Sequence, residues 1–343
     1  MKDQMKVIHI PEAGKVILTQ EPQPQVKPDE VLLKLNYVGF CGSDLNTYLG
    51  RNTMAKENVI PGHEISATIA ALGSTVPDTL HVGATVTVNP YTACGTCPSC
   101  QNRRANACQH NETLGVQRDG AMREYIALPW QKIIPVTGVA LRDCALIEPM
   151  SVGFHAVSRG EVTDTDTVVV FGCGMVGMGA IVRAARRGAT VIAVDLSDEK
   201  LAIAKSFGAH YGVNSAKEDL LARVNELTNN RGADVVIEAV GSPATYVAAV
   251  DIVSFTGRVV CIGYAKSSVS FQTKFFVQKE LDIRGSRNAM PSDFMGVIRY
   301  LQSCPVSLDS VVSGVVAPEE ASKALAQWEK APGEVFRILV KFA

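Results

Sequence analysis

The sequence predicts an α/β protein with two domains, one rich in β-strands and one built on a parallel sheet that carries helices on both faces. The chain has 343 residues, more than a single hydrophobic core usually holds. Short strand-like runs separated by Pro and Gly dominate residues 5–136, which indicates the β-rich domain. From Thr167 onward, apolar β-type runs alternate with helical segments, and this alternation predicts the parallel sheet.

The elements of the β-rich part follow from runs that alternate in polarity or are rich in β-branched residues. Strands are predicted within 5–38 and at 64–72, 84–89, 123–128 and 132–136. A glycine-bounded turn at 39–44 interrupts them. Residues 91–120 are polar, rich in cysteine and without periodicity, so something other than a core must hold this lobe. The apolar spacing of 141–159 predicts a helix that leads into the second domain.

In the second half, the pattern has the rhythm of βαβ units. Strands are predicted at 168–172, 190–195, 234–240 and 258–262, and helices near 175–187, 198–207, 216–229 and 243–254. Beyond Ile283, two more helices are predicted near 292–303 and 318–330, followed by a closing strand at 334–340.

The strongest motif is a glycine-rich turn between the first strand and the first helix of this alternation. In a GxGxxG motif, the glycines allow a tight turn, a close approach to a pyrophosphate and close packing of helix on strand. Asp195 ends the next strand, where a carboxylate can accept hydrogen bonds from a ribose. The alternative is a βα turn that binds no ligand. The predicted dinucleotide-binding residues of the turn are Gly172, Gly174, Met175, Val176 and Gly177.

The residues after this acid favour NAD over NADP. Asp195 would repel a 2′-phosphate on the ribose, and 196–198 offer no cation to bind one. The first basic residue is Lys200, on the following helix.

Four of the nine cysteines crowd into one short stretch of the polar lobe. Their spacing, Cys-x2-Cys-x2-Cys-x7-Cys, can close a tetrahedral zinc site without an open position, which would be structural. An iron–sulfur cluster and reactive thiols are the alternatives, although the ferredoxin-type spacing differs. The predicted ligands are Cys94, Cys97, Cys100 and Cys108.

A second set of possible metal ligands is dispersed beside breaks in regular structure, and it comprises Cys41, His63, Glu64 and Glu148. One thiolate, one imidazole and one or two carboxylates suffice for a zinc site with an exchangeable position. Each residue also has an ordinary explanation, as a buried cysteine or a surface His-Glu pair, and spacing alone does not assemble them.

The charge balance and the apolar runs limit the partners. A net charge of −1 provides no basic field for nucleic acid or an anionic membrane. The longest apolar run, 168–182, is too short for a membrane span, and the first residues lack the apolar core of a signal peptide. We expect a soluble, cytoplasmic protein with a small-molecule substrate.

With these motifs in place, the chain resembles the zinc-dependent medium-chain dehydrogenase/reductases over essentially its whole length. It is most similar to their sorbitol, threonine and sugar-acid dehydrogenase branch. Besides the four-cysteine lobe, the matching motifs are GFCGSD at 39–44, PGHE at 61–64, DGAMREY at 119–125, LIEPMSVGFHA at 146–156 and VFGCGMVG at 170–177.

The resemblance implies a GroES-like catalytic domain at 1–153, completed by 292–343, around a Rossmann domain at 154–291. It also implies a homodimer or homotetramer with two zinc ions per chain. Cys41, His63 and Glu64 would hold the catalytic zinc, while Glu148 would be a further ligand or would hold the zinc-bound water.

The same resemblance implies a mechanism in which zinc lowers the pKa of a substrate hydroxyl and hydride passes to NAD. Ser43 matches the hydroxyl that takes the alcohol proton. Where many relatives carry a histidine at the outer end of this relay, Asn46 stands here, so the proton must leave through the cofactor ribose and water, or through Glu64 and Glu148.

The predicted function is NAD-dependent oxidation of a secondary alcohol in a polyol, sugar or sugar acid. An L-threonine or simple alcohol dehydrogenase is the alternative enzyme, and a dinucleotide-sensing or zinc-ribbon binding protein is the alternative outside enzymes. Arg287 is a candidate for binding substrate carboxylate or hydroxyl groups, or else forms an interdomain salt bridge. His155 is expected to be a packed or hydrogen-bonded interior histidine and not a ligand.

Overall fold

A computed structural model describes residues 4–304 and 306–343. In chain order its strands are β1 Gln4–Glu12, β2 Lys15–Pro22, β3 Glu30–Phe40, β4 Glu64–Leu72, β5 Thr85–Val88, β6 Tyr125–Pro129, β7 Ile133–Pro135, β8 Thr167–Phe171, β9 Thr190–Asp195, β10 Tyr211–Asn214, β11 Ala233–Glu238, β12 Val253–Cys261, β13 Asp282–Gly285, β14 Gly314–Val316 and β15 Ile338–Lys341. Its α-helices are α1 Gly42–Tyr48, α2 Pro98–Gln101, α3 Ile147–Arg159, α4 Met175–Arg186, α5 Asp198–Ser206, α6 Leu220–Leu227, α7 Pro243–Ile252, α8 Lys274–Gln278, α9 Pro291–Gln302 and α10 Ala321–Lys330.

The chain divides into two compact units. The split unit comprises the chain up to Glu148 together with Ile298–Ala343, and the inserted unit comprises Pro149–Val297. Within the described ranges, no helix combines the length and the apolar character that crossing a bilayer requires.

The split unit is organised around a sheet whose strand order is β14-β15-β3-β4-β5-β7, with β6 also paired to β3. Its neighbouring strands are antiparallel except for the parallel pair β14 and β15. Strand β3 follows the period of two that the sequence shows, because Val31, Leu33 and Leu35 are fully buried while Lys34 between them is exposed. Strand β15 pairs with β3, so the end of the chain adds a strand to the sheet of the first half.

The inserted unit contains the parallel sheet that the βα rhythm predicts. Its strand order is β10-β9-β8-β11-β12-β13, and every neighbouring pair is parallel. The order reverses between β8 and β11, and in open α/β sheets ligands bind at such a point. Val168, Val169 and Val170 of β8 are fully buried, as expected of a strand covered on both faces.

Several elements differ from the prediction in ways that capping and length explain. The helix predicted at 141–159 begins as a short 3-10 turn, Asp143–Leu146, and becomes α-helical only at Ile147. The helix predicted from 216 begins later because the Asp219 side chain caps it, accepting a hydrogen bond from the amide of Ala222. Strands β10, β13 and β14, of four, four and three residues, were not predicted.

The glycine-bounded turn at 39–44 opens into helix α1, which the sequence did not predict. Cys41 is its N-cap residue, and the Asp44 side chain accepts a hydrogen bond from the Cys41 amide at 2.8 Å. The carboxylate therefore fixes the point at which the chain leaves β3 and enters the helix.

Candidate metal and cofactor sites

The four cysteines of the polar lobe form a compact sulfur cluster. Their Sγ atoms all lie within 4.8 Å of one another. Backbone amides point at the sulfurs: the amide of Cys97 donates to Cys94 Sγ at 3.3 Å, and that of His110 donates to Cys108 Sγ at 3.3 Å. Hydrogen bonds from Ser99 and from the amide of Gln109 lower the pKa of Cys97 to about 5. The pKa of Cys100 is raised to about 11, mainly by burial, so the thiolate of Cys97 is stabilised and that of Cys100 is not. Four sulfurs at these distances fit a closed tetrahedral zinc site.

A second cluster comprises Cys41, His63 and Glu64, whose ligand atoms also lie within 4.8 Å of one another. We call these three residues the trio. Strand pairing brings them together: Glu64 opens β4 and is the cross-strand partner of Gly39 near the end of β3. Cys41 follows the last residue of β3 and His63 precedes the first residue of β4, so both leave the sheet at the same edge.

The trio has the unfulfilled hydrogen-bonding capacity that a metal site requires. His63 Nδ1 and Glu64 Oε2 are buried, and neither has a hydrogen-bond partner among the described residues. A buried polar atom left without a partner costs about 1–3 kcal/mol. A cation bound by these atoms would recover that cost, so the donor set of sulfur, imidazole and carboxylate fits zinc.

Mutual electrostatics favour the charged forms of Cys41 and His63. Burial alone would raise the pKa of Cys41, but the hydrogen bond and charge of His63 outweigh it and lower that pKa to about 7. Burial alone would lower the pKa of His63, but its interactions with Cys41 and with Glu148 and Asp44 raise it well above the usual value. A thiolate is the form that binds a metal.

Arg337 is the main residue of this site that sequence reasoning missed. It lies just before β15, is 4% exposed, and places Nη1 3.1 Å from Glu64 Oε1 and 2.7 Å from the carbonyl oxygen of Phe40. Burial opposes its charge, but Glu64 and Cys41 raise its pKa. The available signal was a lone arginine within the apolar closing strand, a position where an unpaired charge is not expected.

Two further residues shape the trio. Gly39 has no room for a side chain, because a Cβ there would lie 2.2 Å from Glu64 Oε2. Asp44 is fully buried and accepts a hydrogen bond from the Gly62 amide at 3.3 Å in addition to that from Cys41. Asp44 therefore ties the residue before His63 to the N-terminus of α1, and burial raises the pKa of its carboxyl.

Glu148, the fourth residue predicted for this site, does not converge with the trio. It lies in the first turn of α3 and is buried, and its Oε1 accepts a hydrogen bond from the hydroxyl of Tyr91. Burial and the neighbouring Glu148 raise the pKa of Tyr91 well above its usual value, so this hydroxyl stays protonated. The turn that leads into Glu148, Asp143–Leu146, packs against β3, β4 and β5, and the charge of Glu148 contributes to the raised pKa of His63.

The predicted relay residues lie on α1. Ser43 Oγ is buried and has no hydrogen-bond partner among the described residues, so it is available to a substrate. The Asn46 side chain donates to the carbonyl oxygen of Gly42 at 2.9 Å, within its own helix.

The glycine loop of the inserted unit has the geometry that its sequence predicts. Gly172 has a φ of +85°, which favours glycine, and a Cβ at Gly177 would lie 1.7 Å from the Gly172 carbonyl oxygen. Gly174 is the N-cap residue of α4, and a Cβ there would meet no atom within 4 Å. Met175 and Val176 follow as the first two residues of the helix. The loop therefore leaves open space above a helix N-terminus.

Asp195 holds this loop as well as ending β9. Its carboxylate accepts hydrogen bonds from the amide of Cys173 at 2.8 Å, of Leu196 at 2.8 Å and of Ser197 at 3.0 Å. A carboxylate has about four acceptor positions, so one is left for a ribose hydroxyl. Lys200, the first cation after Asp195, is buried.

Glu238, at the end of β11 next to the reversal point, is a second residue that sequence reasoning missed. Its Oε1 accepts hydrogen bonds from the amides of Val240 at 3.0 Å and Gly241 at 2.8 Å and from Thr245 Oγ1 at 2.7 Å. The carboxylate thus fixes the loop between β11 and α7 at the carboxyl edge of the sheet, where a dinucleotide would bind.

Two other predicted residues lie in the inserted unit. His155 Nδ1 lies 2.9 Å from Asp293 Oδ2, and both side chains are buried, which confirms an interior hydrogen-bonded histidine. Arg287 is half-buried two residues after β13, and its role in binding substrate stays a prediction.

Comparison with known proteins gives full-length similarity to one class of enzyme. The model of the alcohol dehydrogenase GroES-like domain matches residues 27–138, and that of the zinc-binding dehydrogenase matches residues 176–303. The sorbitol dehydrogenase of Bacillus subtilis is 34% identical over 302 residues, covering 86% of this chain and 82% of its own. The L-galactonate-5-dehydrogenase of Escherichia coli K12 is 31% identical over 309 residues, covering 90% and 91%. An alcohol dehydrogenase structure from Escherichia coli CFT073, complexed with NADH, has a TM-score of 0.91 at 27% identity and 99% coverage of both chains.

Proposed function

This chain belongs to the zinc-dependent medium-chain alcohol dehydrogenase family, and from that premise we propose that it oxidises a secondary alcohol of a polyol, sugar or sugar acid with NAD. The observation that carries the proposal is the convergence of Cys41, His63 and Glu64 at the place where β3 ends and β4 begins. The chain is an oxidoreductase of this family, so a dinucleotide sensor or zinc-ribbon module no longer competes.

The residues of the split unit have distinct tasks in this proposal. Cys41, His63 and Glu64 would hold the catalytic zinc, which acts as a Lewis acid on the substrate hydroxyl while NAD accepts the hydride. Ser43, whose buried hydroxyl has no hydrogen-bond partner in the part of the chain that the structure describes, takes the alcohol proton. Burial raises the pKa of the Glu64 carboxyl well above its usual value, and the ion pair with Arg337 opposes this shift and holds the carboxyl in place.

The path of the proton beyond Ser43 follows from what Asn46 does. An amide does not exchange a proton at neutral pH, and this one is engaged with Gly42 in its own helix. The proton therefore leaves through the cofactor ribose and water, or through the carboxylates of Glu64 and Glu148.

Cofactor choice rests on Asp195. With three amide hydrogen bonds already made, its carboxylate retains room for one ribose hydroxyl but would repel a 2′-phosphate. Equal kcat/KM with NAD and NADP would contradict this role of Asp195.

The remaining parts of the proposal concern assembly and location. The catalytic domain would comprise 1–153 with 292–343 around a Rossmann domain at 154–291. A homodimer or homotetramer is supported by the edge position of β13 and by the exposed apolar side chains of Val277 and Ile283 near it. A cytoplasmic location is supported by the four-cysteine cluster, because its thiols must remain reduced to bind metal.

The decisive experiment combines metal analysis with an NAD-coupled screen over polyols, aldonates, free sugars and L-threonine. We expect about two zinc ions per chain and NADH production with a polyol, sugar or sugar acid. Cys41→Ser is the inactive control, since it removes one ligand of the trio. A protein that holds two zinc ions and reduces NAD with none of these alcohols would refute the proposal.

A further inference from the structure

Tyr91, which forms a buried pair with Glu148, has no part in the function proposed above. Tyr91 is 5% exposed and Glu148 is 4% exposed, and the phenol hydroxyl donates to Glu148 Oε1. Because the donor and the charged acceptor are both removed from water, this bond strongly restrains the carboxylate.

The position of Tyr91 is itself fixed from both sides. Its amide donates to Asn89 Oδ1 at 3.1 Å, and its carbonyl oxygen accepts from Lys132 Nζ at 2.5 Å. It lies three residues before Cys94, the first ligand of the four-cysteine cluster. The hydroxyl is therefore presented to Glu148 by a segment that the sheet and the cysteine lobe anchor together.

The restraint matters because a catalytic metal needs an exchangeable position. The trio supplies three protein donors within 4.8 Å of one another, and Glu148 does not belong to that cluster. The turn that leads directly into Glu148 packs against β3 and β4, the strands that hold the trio. A fourth protein donor would close a tetrahedral zinc site, and closed sites are structural. Glu148 has the chemistry to be that fourth donor.

We propose that Tyr91 is a positioning residue that holds the Glu148 carboxylate out of the metal's ligand set. The metal held by the trio then keeps one position for the substrate hydroxyl. This inference rests on the proposed function, since it assumes that the trio binds a catalytic zinc.

The test replaces zinc with Co²⁺ and compares the visible ligand-field spectra of the wild type, Tyr91→Phe, Glu148→Gln and the double variant. Tyr91→Phe retains the ring and removes only the hydroxyl. We expect its spectrum to differ from that of the wild type, its bound metal to exchange more slowly, and its kcat to fall about 10- to 100-fold, as is typical for partners of metal ligands. On the E148Q background the Tyr91→Phe change should have no spectral effect, because an amide is a poor zinc ligand.

Tyr125→Phe is the matched control. It removes the hydroxyl of a half-buried tyrosine on β6 of the same unit, and both its spectrum and its kcat should match the wild type. Glu148→Gln by itself keeps Tyr91 and should retain the wild-type spectrum, which tests the inference even if Tyr91→Phe does not fold.

The outcomes separate this inference from the proposed function. A chain that binds only one Co²⁺ would refute the catalytic zinc site. A chain that binds two, with identical spectra for Tyr91→Phe and wild type, would overturn the positioning role alone. A spectral change that persists in the double variant, or that Glu148→Gln causes by itself, would also overturn it.

Discussion

Replacing Arg337 by methionine tests how the trio is held, because it removes one buried cation and keeps much of the side-chain volume. Arg337 lies 3.1 Å from a carboxylate oxygen of Glu64, and both side chains are almost completely buried. The substitution leaves a buried carboxylate without its cation. Removing one partner of a buried ion pair costs about 3–5 kcal/mol of the free energy of unfolding, and we expect a loss of this size. It is a large share of the roughly 5–15 kcal/mol by which domains are stable.

Urea unfolding followed by tryptophan fluorescence measures this loss in the split unit, to which Arg337 belongs. The chain has two tryptophans, Trp130 and Trp328, and both belong to the split unit. Zinc content must be matched between the variants, because bound metal also stabilises the trio. Lys323→Met, which removes an exposed cation from α10, is the control and should change stability by about 0.5 kcal/mol or less.

A double-mutant cycle with Glu64→Gln decides whether the ion pair is the cause. With Glu64 neutralised, the loss caused by R337M should shrink by about 1–3 kcal/mol, because no buried charge is left unpaired. An R337M loss below about 1 kcal/mol, or an equal loss on the E64Q background, would refute the reasoning.

Three further predictions concern the two sites. Below pH 7 both Cys41 and His63 hold a proton that the metal must displace. The affinity of the metal-depleted protein for Co²⁺ should therefore fall steeply as the pH falls. Equal affinity at pH 6 and pH 8 would contradict these pKa shifts. Gly39→Ala should displace the carboxylate of Glu64 and lower zinc retention and kcat/KM about 10- to 100-fold, while Gly333→Ala, in open space, should leave both unchanged. Glu238→Ala should weaken NADH binding about tenfold, measured by fluorescence titration with unchanged zinc content, because the β11–α7 loop loses three hydrogen bonds; an unchanged Kd would exclude this positioning role.

Much of the fold was predictable because its signals are local. The βα rhythm after Thr167 determines a parallel sheet whatever the remaining contacts are. Strands β8, β9 and β11 were assigned within two residues, whereas β12 begins five residues before its predicted start. The errors fall where the local signal is short or competes with a cap. Strands β10 and β13 have four residues each, and α6 begins only after its Asp219 cap.

The same distinction separates the two metal sites. The four-cysteine cluster spans fewer than twenty residues, so its spacing by itself indicates a closed zinc site, and the glycine loop likewise carries its geometry in a few consecutive residues. The three residues of the trio could be predicted as one site only through the family resemblance. They lie close together in space because β3 ends where the neighbouring strand β4 begins, and the sequence does not show this pairing.

What only the tertiary structure decided are the contacts between residues far apart in sequence. Because β15 pairs with β3, Arg337, the residue just before β15, lies next to Glu64. The segment before the four cysteines places Tyr91 next to Glu148. Local patterns specify which face of a strand is buried, but not which strand lies beside it or in which register. The sequence alone therefore indicated the fold class, the four-cysteine cluster and the glycine loop, while strand pairing decided which charges and hydroxyls surround the trio.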